Sequence, residues 1–158
     1  MIKTNAVRAL DQLGIKYELR EYDVDPHDLS AESVAAKIGL PPEQVFKTLA
    51  VQGDRNGTCL AVISANQELN FKALANQTGD RKIEMVPMKE VRALTGYIRG
   101  GVTALACKKD YAVYIEELAE ICDVISVSAG IRGLQILLAP ADYIRAVNAR
   151  VAAIAKAK

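Results

Sequence analysis

Apolar positions change period several times along the chain, and the changes mark out its elements. Ala6, Val7, Leu10 and Leu13 recur at helical spacing behind Thr4-Asn5, either of which can cap a helix, and Gly14 stops it. Residues 15–22 then alternate, with Ile15, Tyr17 and Leu19 set against polar neighbours, and read as a strand. A loop over 23–28 contains Pro26 and His27. Ser30-Ala31-Glu32-Ser33 opens a second helix through Val34, Ala35 and Ile38, ended by Gly39 and Pro41-Pro42. Runs 45–51 and 58–64 are apolar and rich in β-formers, and the turn residues 52–57 between them predict a hairpin. Asn70 caps a helix carrying Phe71, Leu74 and Ala75 up to Gly79, and Pro87 starts another through Val91 and Leu94 to Gly96. Beyond Gly100-Gly101, short strands are expected at 102–107, 111–115, 124–127 and 134–138. Pro140 and Asp142 then open a terminal helix along Tyr143, Ile144, Val147 and Val151.

Helices flank strands without regular βαβ alternation, and there is no repeat, linker or low-complexity tract. The pattern predicts one α+β domain over 1–158, built on a mixed, largely antiparallel sheet. A chain of 158 residues that is 51% hydrophobic and 25% charged has a core available without covalent staples. No apolar run reaches the roughly 18 residues a bilayer span needs, so no membrane partner is expected. The first residues lack a secretory apolar stretch, and Cys59, Cys107 and Cys122 are far apart and odd in number. Together these predict a reducing, cytoplasmic setting.

The net charge of +1 is uninformative, but its distribution is not. Lys72, Arg81, Lys82, Lys89, Arg92, Arg99, Lys108 and Lys109 face only Asp80, Glu84 and Glu90 over the same stretch. Such a segment suits a phosphate-bearing partner, and equally suits an ordinary solvated face. The one histidine, His27, lies in a loop, so any Ser-His-Asp or Cys-His triad would have to use it. No metal-ligand spacing and no nucleotide-binding glycine motif is present, so neither metal nor cofactor is expected.

Two features remain. Alternation places Lys47 on the same side as Val45, Leu49 and Val51, too apolar for a solvent face. A lysine there either snorkels past a strand end or stands at the mouth of a pocket, holding an anion or a carbonyl. Glycine-bearing turns at 95–101 and 128–133 either cradle an oxyanion or phosphate on backbone amides, or simply close hairpins.

In order, the segments Tyr22-Asp23-Val24-Asp25-Pro26, Phe46-Lys47-Thr48-Leu49 and Lys82-Ile83-Glu84-Met85 resemble the YbaK/EbsC family of aminoacyl-tRNA deacylases. So do Thr95-Gly96-Tyr97-Ile98-Arg99-Gly100-Gly101, Lys108-Lys109, Ser128-Ala129-Gly130-Ile131-Arg132-Gly133-Leu134 and Leu138-Ala139-Pro140. That family also includes the editing domain inserted in some prolyl-tRNA synthetases. The resemblance covers essentially the whole chain. It implies a barrel-like α+β domain with a cleft for the 3′ end of an aminoacyl-tRNA, and an association with prolyl-tRNA synthetase. It implies that Lys47 is the key site lysine and that Gly100-Gly101 present backbone to the aminoacyl carbonyl. Tyr22 and Thr48 match pocket positions, Ser128 matches a residue beside the substrate, and Gly130 belongs to the same turn.

The chain departs from the family pattern after Gly101. Thr103 keeps a hydroxyl where the family has serine, but Ala104 replaces a proline and Ala106 a glycine. Gln135 stands where cysteine-specific members commonly carry a carboxylate, and a shorter loop after Tyr22 leaves Leu29 to supply its apolar contribution. The expected activity is hydrolysis of a mischarged aminoacyl ester, of Cys-tRNA(Pro) or another small amino acid, by positioning and backbone oxyanion stabilisation. At this length the chain is expected to be free-standing rather than part of a synthetase. The alternatives are a catalytically weak tRNA- or synthetase-binding module, or a scaffold with a vestigial cleft.

Overall fold

The capping residues set most helix limits. A computed structural model describes residues 3–158. Its elements in chain order are α1 (Asn5–Gln12), β1 (Glu18–Glu21), α2 (Ala31–Ile38), β2 (Phe46–Gly53), β3 (Gly57–Ser64) and β4 (Gln67–Leu69). Then come α3 (Phe71–Thr78), β5 (Ile83–Met85), α4 (Met88–Thr95), β6 (Ala112–Glu116), β7 (Ile125–Ser128), β8 (Leu134–Leu138), α5 (Pro140–Val147), β9 (Arg150–Ala152) and β10 (Ala155–Ala157). Thr4, Ser30 and Asn70 each accept a backbone N–H from three residues on, at the starts of α1, α2 and α3.

The predicted hairpin forms, with β2 and β3 paired from Phe46↔Ser64 to Gly53↔Gly57. It is the centre of a five-stranded sheet in the order β5-β2-β3-β6-β9, where β6 and β9 run parallel to their neighbours. A second, antiparallel sheet has the order β1-β8-β7, and β4 pairs with β10 in a third. The architecture is therefore α+β and largely antiparallel, as the pattern predicts. It is not a closed barrel: among the described residues the strands form three sheets, and one isolated bridge, Val45↔Ser126, joins the β2 side to β7.

Both faces of the hairpin are covered. Phe46, Ala50, Leu60 and Val62 pack with Val7 and Leu10 of α1 and with Tyr143 of α5. On the other face Val51, Ala61 and Ile63 pack with Leu74 and Ile154. Two-sided burial explains why the run reads as continuously apolar. A third cluster sets Val34, Ala35 and Ile38 of α2 against Val45 and Ala65, at the end of β2 where Lys47 emerges.

Three segments differ from the pattern reading. Residues 102–107 are a turn rather than a strand. The Thr103 hydroxyl accepts from the Leu105 amide, its carbonyl accepts from the Cys107 thiol, and Ala106 adopts φ 53°. The terminal helix stops at Val147 because Asn148 turns left-handed at φ 52°, and Val151 lies in β9 instead. The first strand contracts to Glu18–Glu21, the four residues that find partners on β8.

Candidate active site

The first residues of β2 open onto a cavity of about 310 Å³. Of the residues singled out from sequence, Lys47, Gly100, Leu29, Thr48, Ser128 and Gln135 line it. They reach it from four places: the lead into α2, strand β2, the glycine turn after α4, and the β7–β8 pair. Thr48 lies on the opposite face of β2 from Lys47, so the strand end contributes both of its faces to one space.

Lys47 is half-buried, and its ammonium donates to the Ala65 carbonyl at 3.3 Å. Burial holds its pKa below the ordinary value of 10.5, the Lys158 charge lowers it further, and Glu32 and Glu68 partly offset both. Lys47 thus lines the cavity at the start of β2. Two further cations line the cavity, Arg99 and Lys158, and among the described residues no Asp or Glu does. Lys158 arrives from the far end of the chain because β10 pairs with β4, and it is ion-paired to Glu32 of α2. Nothing local in the sequence marks it: pairing across the fold brings it there.

The polar wall is neutral. The Ser126 hydroxyl donates to Gln135 Oε1 at 2.7 Å, which leaves the Gln135 amide N–H2 as the free donor of a cavity-lining side chain. Ser128 Oγ accepts from the Gly130 amide at 3.2 Å.

The two glycine turns are pressed together, and this is why they need glycine. A Cβ on Gly130, at φ 94°, would sit 2.9 Å from the Tyr97 ring, and one on Gly101 would sit 3.2 Å from the Ile131 backbone. The Tyr97 hydroxyl donates to the Leu105 carbonyl at 2.5 Å, and Arg132 Nε donates to the Arg99 carbonyl at 2.8 Å. Tyr97 and Arg132 therefore lock three loops into one block.

Four singled-out residues lie off the cavity wall. Gly101 is buried behind it, with its amide donating to the Ile98 carbonyl at 2.8 Å. Gly130 packs under Tyr97. Thr103 is fully buried beside Tyr143, whose phenol is pushed up to about 12 by burial although the Thr103 and Thr48 hydroxyls oppose the rise. Tyr22 lies in a separate, open depression with Lys37, whose ammonium is 5.9 Å from the ring centroid. Among the described residues, the amides of Gly100 and Val102 have no hydrogen-bond acceptor, and both residues line the cavity.

The cysteines lie outside this geometry. Burial pushes the Cys59 and Cys107 thiols up to about 11, and raises Cys122 as well. At pH 8 native protein should therefore react far more slowly with an aromatic disulfide reagent than denatured protein does. Stoichiometric labelling of Cys59 or Cys107 within seconds would contradict the packing role.

The cavity of this small α+β domain thus brings Lys47, Arg99 and the Glu32-paired Lys158 together with the backbone of Gly100 and Val102. The chain belongs to the aminoacyl-tRNA editing domain family, whose model matches residues 25–146. It is 43% identical over 152 residues to the "Putative Cys-tRNA(Pro)/Cys-tRNA(Cys) deacylase EbsC" of Enterococcus faecalis, covering 96% of this chain and 93% of that protein. A 66-residue stretch, 42% of this chain, is 30% identical to 12% of a proline--tRNA ligase of Thermosipho africanus. The fold matches a solved "putative trans-editing enzyme for prolyl tRNA synthetase" with TM-score 0.84 at 21% identity, over 99% of each chain. It also matches a solved hypothetical protein with TM-score 0.88 at 20% identity, over 97% of this chain and 100% of that one. No helix among the described residues is long and apolar enough to cross a membrane.

Proposed function

We propose that the protein is a trans-editing deacylase that hydrolyses the ester joining a small amino acid to the 3′ end of a mischarged tRNA. Cys-tRNA(Pro) is the first candidate. The name carried by the 43% identical relative supports that choice. The observation that carries the reading is the cavity itself: Lys47 and two residues with acceptor-free amides line one space, with no acidic side chain among the described lining residues.

Ester hydrolysis puts negative charge on the carbonyl oxygen as the tetrahedral centre forms. In this reading the Gly100 and Val102 amides stabilise that charge, and Gly101, whose amide is already engaged, holds the turn in place. Lys47 and Lys158 hold the terminal nucleotide, while Leu29, Thr48 and Ser128 bound the space left for the amino acid. An aminoacyl ester is already activated, so positioning suffices without a side-chain nucleophile. For a cysteinyl ester, the substrate thiol attacks its own carbonyl carbon. The C–S bond forms, the C–O bond breaks, and the ribose oxygen takes the thiol proton; water then opens the resulting thiolactone, forming a C–O bond, breaking the C–S bond and returning a proton to the sulfur. Action in the cytoplasm, alongside prolyl-tRNA synthetase, belongs to the same proposal.

A panel of aminoacyl-tRNAs tests it, with release of the amino acid as readout. Turnover on Cys-tRNA(Pro) or another small aminoacyl-tRNA is expected, and no turnover on any member would sink the reading. A second reading, a tRNA- or synthetase-binding module with little chemistry, is favoured by the engaged Gly101 amide and by Ala106, held at φ 53° where the family pattern has glycine. It predicts binding without release in the same panel.

A further inference from the structure

A second depression, about 450 Å³ in volume, runs on from the cavity. The two share Lys47, Leu49 and Met85, so they form one continuous trough with Lys47 at the junction. Leu49, Ile63 and Leu69 form an apolar floor, Phe71 stands at the side, and Lys156 and Glu68 form the rim.

Phe71 is the informative residue. The chain has two phenylalanines, and Phe46 is buried in the core while Phe71 is 40% exposed. A single exposed aromatic is ordinary on a protein surface. This one opens α3 beside an apolar trough that leads to a cation-lined cavity. Met85, also 44% exposed, continues the same unpartnered apolar surface.

The charges point the same way. Lys156 lies within β10, and Lys158 directly follows its last residue. Lys158 lines the cavity and Lys156 the trough, with Lys47 between the two. Each terminal lysine has an acid partner, Glu68 at 3.7 Å for Lys156 and Glu32 for Lys158, and all four groups are solvated, so both pairs are easily parted. A row of cations beside an apolar floor and an exposed aromatic ring suits a single nucleic-acid strand, which presents phosphates along one edge and a flat base at each step.

We propose that this trough is a nucleotide subsite for the single-stranded 3′ arm of the tRNA, one residue inward from the aminoacylated adenosine. Its base stacks on Phe71 and its phosphate is held by Lys156. The inference rests on the deacylase reading and deepens it, assigning recognition of the penultimate nucleotide to a place apart from the chemistry.

The test compares two substrates: Cys-tRNA(Pro), and cysteinyl-adenosine, which carries the ester but no second nucleotide. Phe71→Ala should lower kcat/KM on the tRNA about 10-fold or more, mostly through KM, and leave hydrolysis of cysteinyl-adenosine unchanged. Phe71→Trp should keep the wild-type value on both. Lys156→Ala should reduce the salt dependence of tRNA binding by about one unit of slope. Equal losses of Phe71→Ala on the two substrates, or none on tRNA, would overturn the subsite. If wild type hydrolyses neither substrate, the deacylase reading fails while the subsite stays testable by binding of uncharged tRNA. Tighter binding by wild type than by Phe71→Ala, restored in Phe71→Trp, then upholds it, and equal binding by all three overturns it.

Discussion

Lys47→Ala is expected to lower kcat/KM for aminoacyl-tRNA hydrolysis by roughly 10–10²-fold, the scale of losing one charge-assisted contact to the terminal nucleotide. Lys47→Met is the sharper variant, because it keeps a long apolar stem beside Leu49 and Met85 and removes only the charge. The same loss is expected from both. Lys47→Arg should not restore activity, since a planar guanidinium cannot reproduce a compact ammonium in a half-buried position. Stability supplies the control. The folded-state pKa of Lys47 lies below its ordinary 10.5, so its protonated form opposes folding at neutral pH, and that opposition fades as pH rises from the folded-state value to 10.5. The Met variant should therefore be at least as stable as wild type at pH 7 in urea unfolding. If the protonated amine is the active form, the alkaline limb of kcat/KM should also fall below pH 10.5 in wild type. An active Lys47→Met variant would remove Lys47 from the mechanism.

Lys47 also shows what a sequence can and cannot disclose. Its oddity was visible locally, because a strand period of two sets it among Val45, Leu49 and Val51, and the structure places it at a pocket. The hairpin, the glycine-ended helices and strand β8 were legible for the same reason: their signals lie within a few residues. Strands β4, β5, β9 and β10 have three residues each, too few to display a period, and they exist only because distant partners receive them. Lys158 was invisible for that reason, since its place depends on pairing with β4. The turn at 102–107 misled because its apolar run imitates a strand, while the Thr103 hydroxyl and carbonyl satisfy its backbone and thiol locally. The barrel-like arrangement stays open for want of a ladder: the isolated bridge at Val45 cannot join two sheets continuously.

The dependence of the site on distant pairing leads to Glu116. Its carboxylate is only 3% exposed and accepts three backbone amides: Leu118 at 2.8 Å, Ile154 at 3.0 Å and Ala155 at 3.1 Å. Ile154 is fully buried, and its carbonyl accepts from the Asn70 amide at 2.8 Å on the opposite side. Glu116 is thus the clasp that turns the chain out of β9 and into β10. Glu116→Ala leaves a buried amide donor unpaired and removes a charged acceptor, at a cost of about 3 kcal/mol. In a chain of this size that lowers Tm by about 6–12 °C. The loss falls first on β10, and with it Lys156 and Lys158 leave the trough and the cavity. The variant should therefore lose more activity on aminoacyl-tRNA than on an aminoacyl-adenosine ester, measured below its melting temperature. Amide hydrogen exchange should locate the weakened protection at 154–157 rather than in the β2–β3 hairpin. Wild-type stability, or equal losses on the two substrates, would show that the C-terminal lysines are held by something other than this carboxylate.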